Sequence, residues 1–202
     1  MALFTHSVLS RVVVVDPEAP LNVAVSQVPT ITDLHKAVKT DDFPLFEQLL
    51  MLMAYSEGTL KDSLTANTLP GGQTILLNAI LAGRTNFVQL LLTAPDYSEF
   101  LDFEQGEKDG YTCYHAAAFQ GRSDIVKLLM KRGIPGGMSQ HKDGYFPIHR
   151  ACWGMEEKHT LSVKAFLDFG VPVDWQGKGK SCFDVTKNEG TKELIANWGK
   201  EL

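Results

Sequence analysis

Apolar residues recur along the chain in pairs of short blocks, and polar, glycine-containing breaks separate them. In the clearest block Ile125, Leu128 and Leu129 stand at i, i+3 and i+4, the spacing that gathers side chains on one face of an α-helix. Gly121 and Gly133 bracket this block and supply the sharp turns that end short helices. Helices of about eight to ten residues are too short to persist alone in water, so each must lean its apolar face on a neighbour. The pattern predicts stacked helix pairs, each covering the next, in a quasi-one-dimensional solenoid.

The stack has a period. Lys108-Asp109-Gly110-Tyr111 returns 34 residues later as Lys142-Asp143-Gly144-Tyr145. Thr112-Cys113-Tyr114-His115-Ala116-Ala117 follows the first copy, and Phe146-Pro147-Ile148-His149-Arg150-Ala151 follows the second. An earlier copy begins at Gly72 and runs through Thr74 to Ala79, a degenerate one spans Thr32 to Ala37, and a last one spans Gly179 to Asp184. The second halves agree as well. Gly83 is followed by Phe87, Val88 and Leu90 to Leu92, and Gly121 by Ile125, Val126 and Leu128 to Met130.

These residues resemble the ankyrin-repeat family, whose T-P-L-H-x-A motif opens a unit of about 33 residues made of a turn and two helices. The resemblance runs from Thr32 to Trp198. It implies an all-α ankyrin-repeat solenoid of about five helix-turn-helix units, near 30–65, 70–100, 108–136, 142–172 and 177–199. Residues 31–202 form the repeat domain and residues 1–30 an extended N-terminal arm. The connections into the second and third units are enlarged. The one at 96–109 is acidic, with Asp96, Glu99, Asp102, Glu104, Glu107 and Asp109 against Lys108 alone. Three additional residues in the fourth unit are expected to lengthen the turn at 155–160, and the first and last units are expected to be caps with polar outer faces. In the arm, Val12 to Val15 suits an extended strand, and Pro17, Pro20 and Pro29 deny a helix. The arm either folds back over the first unit or flank, or adds as a strand to a partner's sheet edge.

Charge and composition narrow the function. With 19 Lys+Arg against 24 Asp+Glu the net charge is −5, which argues against nucleic-acid binding. The apolar stretches at 74–83 and 87–94 are interrupted by Arg84, Thr85 and Asn86, so membrane insertion is not expected. Cys113, Cys152 and Cys182 are few and widely spaced, no Asn heads a glycosylation acceptor site, and Arg11 breaks the apolar run at 8–15. Together these point to the cytoplasm or nucleus rather than secretion.

No metal, cofactor or catalytic residue is expected. C-x-x-C and H-x-x-x-H are absent, and so is the G-x-S-x-G elbow. Gly177-Lys178-Gly179-Lys180-Ser181 fails as a phosphate loop because Asp174 stands where the motif needs glycine. The resemblance assigns His115 and His149 to structural turns. It also places residues beside the turn glycine, and those before the inter-helix glycine, on the concave side. These are Lys108, Asp109, Tyr111, Phe119 and Gln120 in the third unit, Lys142, Asp143, Tyr145, Arg150 and Trp153 in the fourth, and Trp175 and Lys178 in the fifth. Tyr, Trp and Arg are the types in which interface energy concentrates. The alternative for Tyr111 and Tyr145 is filler between adjacent turns. The expected function is a non-enzymatic protein-binding module, an adaptor or regulator. The alternatives are a permanent subunit of a larger assembly tethered by its arm and an enzyme without a recognisable motif.

Overall fold

The computed structural model describes residues 29–54, 59–65, 73–98, 101 and 109–199. The arm at 1–28, the expectation of a strand at Val12 to Val15, Lys108 and most of the acidic connection lie outside the described residues. Five inner helices stack in order: α1 (Ile31–Thr40), α4 (Ile75–Leu81), α7 (Cys113–Phe119), α9 (Pro147–Cys152) and α11 (Cys182–Val185). Five outer helices stack beside them: α2 (Phe43–Ala54), α5 (Thr85–Thr93), α8 (Ser123–Lys131), α10 (Glu157–Asp168) and α12 (Glu189–Asn197). The short α3 (Thr59–Thr65) and α6 (Pro95–Ser98) sit in the two enlarged connections. Among the described residues no strand longer than an isolated bridge position forms, as at Gly177 with Lys180 and at Tyr111, and no helix is long and apolar enough to cross a membrane. One continuous apolar core runs from Leu34 to Cys182, shared across unit boundaries.

Local chemistry sets the start of each inner helix. Thr112 caps α7 in a reciprocal box with His115, Thr30 does so for α1 with Asp33, and Ser181 for α11 with Asp184. In the fourth unit Phe146 replaces the threonine, and Pro147 opens α9 where its missing N–H costs nothing. On α8 the buried residues are Ile125, Val126 and Leu129, whereas Leu128 is half-buried at the edge of the apolar face.

The turns between paired helices carry a ladder of cations. Gly83 and Gly121 take φ of 68° and 69°, and Asp41 adopts φ of 59° at the matching place in the first unit. From the next unit Arg84 reaches back to Asp41 with Nη1 2.7 Å from Oδ2, while its Nε donates to the Val38 carbonyl at 3.3 Å. Arg122 lays its guanidinium over Gly83, and Lys158 its aliphatic stem over Gly121. A side chain on either glycine would collide with these stems.

Two expectations need correction. The additional residues of the fourth unit do not lengthen its turn. Trp153 precedes the start of α10 by the same four residues that separate Phe119 from the start of α8, and α10 is instead a 12-residue helix against nine for α8. Helix propagation adds a hydrogen bond per residue, so the insertion is absorbed where it is paired. Gly154 in this turn lies under the buried His159 ring, whose Nε2 stands 3.3 Å from the Phe119 carbonyl. Gly154→Ala is expected to displace that ring and cost about 1–3 kcal/mol, read as a fall in the urea midpoint.

The first unit is not a polar cap. α2 carries one charged residue, Glu47, and exposes Leu45, Met51 and Leu52. The last unit does match the expectation: α12 is polar outward, and Asn188 caps it while donating to the Gly154 and Glu156 carbonyls of the fourth unit. Finally, Cys152 and Cys182 are paired as a disulfide between α9 and α11, with Cα atoms 5.6 Å apart, a separation a disulfide can span. Cys113 is free, and burial pushes its thiol up to about 12, so it is unreactive.

Candidate protein-binding face

The inner helices turn most of their residues into the stack, and two aligned positions in each of the first four units, three residues apart, run along one side of it. They hold Lys36 and Lys39 in α1, Asn78 and Leu81 in α4, Ala116 and Phe119 in α7, and Arg150 and Trp153 at α9. In the first two units both positions are at least partly open. In the third and fourth the first position is closed over, since Ala116 and Arg150 are buried. Phe119 stands out at 52% exposure, and Met155, just beyond Trp153, at 63%.

Arg150 organises the centre. It is only 9% exposed. Its Nη2 donates to Asp143 Oδ2 and lies 3.0 Å from His141 Nδ1. Its guanidinium carbon sits 4.5 Å from the centre of the Trp153 ring and 6.0 Å from that of Tyr111. A planar cation stacked on an indole and tied to a carboxylate fixes all of these groups relative to one another. Arg150 therefore positions Trp153 and Asp143 rather than offering its own charge outward. Burial works to raise the Asp143 carboxyl, but hydrogen bonds from His141, the Tyr145 backbone N–H and Arg150 outweigh it and hold it down at about 2.

The tips are fixed in the same way. Asp143 Oδ1 accepts from the Tyr145 N–H at 3.1 Å, and the Lys142 N–H donates to the Asp109 carbonyl at 2.9 Å. The Lys142 ammonium pairs with the Asp109 carboxylate, joining the tips of units three and four twice. The Tyr145 ring meets Trp153 edge-on at 5.1 Å, and Lys178 of the fifth unit places its ammonium 5.6 Å from the Tyr145 ring. Tyr111 stacks on His115 at 5.3 Å and meets His141 edge-on at 5.8 Å. Both tyrosines are half-buried, so they pack between tips and also present an edge to solvent.

The sequence-derived residues thus divide. Asp109, Tyr111, Lys142, Asp143, Tyr145, Arg150, Trp153 and Lys178 form one connected cluster, and Phe119 lies on the same face one unit before Trp153. Gln120 is half-buried at the end of α7. Trp175 stacks flat on Phe146 at 4.3 Å and serves the packing of unit five on unit four. Sequence reasoning missed Lys36, Lys39, Leu81, Met155 and His141. Aligning all units on His35, Leu77, His115 and His149 puts Lys39 and Leu81 in register with Phe119 and Trp153, a signal already present in the repeat.

His115 and His149 are inter-unit struts. His115 Nδ1 accepts from the Thr112 N–H at 3.0 Å, its Nε2 lies 3.5 Å from the Tyr145 carbonyl, and His149 Nε2 lies 3.1 Å from that of Lys180. Burial is the main cause that pushes both imidazoles down, His115 to about 4. Among the described residues no group of three or more His, Cys, Asp or Glu is placed to hold a metal ion. What the face offers is pre-set aromatic and charged contact area.

A family profile described as ankyrin repeats, in three copies, matches residues 34–138, and the stacking of helix pairs continues past that match to Asn197. Protein phosphatase 1 regulatory subunit 12A of Mus musculus and of Rattus norvegicus is 32% identical over 84 residues, covering 41% of this chain and 8% of that protein. Alpha-latrotoxin-Lg1a of Latrodectus geometricus is 30% identical over 81 residues, covering 40% of this chain and 6% of the toxin. The chain spans a small fraction of each of these relatives.

Proposed function

Because the chain belongs to the ankyrin-repeat family, whose repeats are protein-interaction modules, we propose that it is a non-enzymatic adaptor or regulator that grips a partner protein. The contact is made by the inner-helix face and the tips of units three and four. One observation supports this reading above the rest. Phe119 is half out in water beside a cluster in which Arg150, Asp143, Trp153 and Tyr145 are already locked together. Side chains ordered before association lose little entropy on binding, so the contact energy of their rings is not spent on ordering them. The phosphatase relative is named a regulatory subunit, which agrees in kind with this proposal.

The test is capture of partner proteins on the immobilised full chain, compared with Phe119→Ala. This variant is expected to weaken capture about tenfold or more while leaving the melting temperature unchanged, since the ring makes its contacts outside the core. Unchanged capture would overturn the proposal. Trp153→Ala is a less clean probe, because it also uncovers Arg150. Capture that depends on residues 1–28 and not on Phe119 would favour the permanent-subunit reading.

A further inference from the structure

The exposed positions of the inner helices differ in kind from one end of the stack to the other. At the first unit they are Lys36 and Lys39, both exposed. At the next three they lead to Leu81, Phe119 and Trp153, an apolar row of one residue per unit. No acidic residue occupies either position in α1, α4, α7 or α9. Asp33, also on α1, is committed to the Thr30 cap, its Oδ2 accepting from both the backbone N–H and the hydroxyl of Thr30 at 2.8 Å. The carboxylates at the tips are engaged as well, Asp109 by Lys142 and Asp143 by Arg150.

A second observation has the same sign. Arg122, which follows Phe119 across the turn, has no carboxylate partner among the described residues, and its Nε is buried without a hydrogen-bond acceptor. The chain as a whole is acidic, yet the first-unit end of this face presents two exposed cations, Lys36 and Lys39, with Asp33 offsetting Lys36 only in part. Complementary charge steers encounter and fixes register, while buried apolar anchors supply most of the affinity.

Building on the reading above, we propose that the partner segment is an acidic, apolar peptide lying across α1, α4, α7 and α9. Its carboxylates face Lys36 and Lys39, and its aromatic or aliphatic side chains rest on Leu81, Phe119 and Trp153. Stacked helices stand about 8–10 Å apart, so the row from Lys39 to Trp153 spans roughly 25–30 Å. An extended chain rising about 3.3 Å per residue covers that distance with about eight or nine residues. The polarity is fixed: acid at the first-unit end, apolar bulk at the fourth.

The experiment is a selection of randomised dodecapeptides on the full chain, followed by affinity measurement of the enriched peptides at 50 and 500 mM NaCl. Enriched sequences are expected to carry Asp or Glu toward one end and Phe, Leu, Trp or Met toward the other. Lys36→Glu with Lys39→Glu should weaken them about tenfold at the lower salt and much less at the higher, because exposed charges are screened. Phe119→Ala should weaken them at both, and Lys131→Glu, on the end of outer helix α8, by less than twofold. Enrichment of basic or uncharged peptides, or no effect of reversing the two lysines, overturns this inference while leaving the protein-binding reading intact if Phe119→Ala still matters. Enriched peptides indifferent to Phe119→Ala overturn both. A selection that enriches no sequence overturns the peptide proposal alone, since capture of folded partners reports separately.

Discussion

Leu129→Ala is expected to lower the unfolding free energy by about 2–5 kcal/mol, the range for emptying a fully buried leucine site. Leu129 has no exposed surface and sits on α8, which packs against α5, α7 and α10, so the cavity would open where three helices meet and none can close it alone. Leu128→Ala is the matched comparison. Leu128 is only partly buried, and its truncation should cost about half as much or less. Chemical denaturation followed by circular dichroism measures both. In a solenoid each unit is held by its neighbours, so a defect in the third unit should move the whole transition to lower denaturant. Equal losses for the two leucines would mean that the boundary of the apolar face is misplaced by one residue.

The second large effect is a loss of stability in mild acid. His115 is held down to about 4 in the folded chain, chiefly by burial, against 6.5 for the free group, and His149 and His35 are lowered for the same main reason. A group whose folded value is depressed binds its proton first in the unfolded chain, so protonation favours unfolding. The stabilisation is complete above about pH 6.5 and is lost as pH falls toward 4, with His115 alone accounting for a few kcal/mol. Asp143 does not confuse this window. Its carboxyl is also depressed, but its contribution is lost only below the ordinary value of 3.8, toward about 2. The check is the urea midpoint between pH 7 and 4, together with the imidazole resonances of His115, which should titrate near 4. A flat profile would show that the histidine struts carry no linkage.

Much of the fold could be read from the sequence because a repeat states its pattern several times. Gly121 and Gly133 marked the turns, and the run from Thr112 to Ala117 marked the opening of a unit. What failed were features decided between units. The insertion before Val163 looks like turn by spacing, yet it is paired as helix once α10 leans on α8, α9 and α12. The cysteines at 152 and 182 look remote until α9 and α11 are stacked. Arg150 shows the same limit for the candidate face. Its register in the repeat and its residue type marked it as a concave-side anchor, but its burial between Tyr111 and Trp153 depends on how two tips meet. Trp175 failed similarly, since its partner Phe146 belongs to the unit before.

The backward reach of Arg84, Arg122 and Lys158 gives the modules a grammar. Each cassette presents a long cation that must be received by the one ahead of it, whether by the carboxylate of Asp41 or by the bare backbone of Gly83 and Gly121. Shuffling cassettes is therefore permitted only in orders that keep donor and receiver adjacent. Grafting the third cassette, whose Arg122 lies on bare Gly83, behind one that ends its turn in a β-branched residue should produce a chimera that clashes at the seam, even though every helix in it is native.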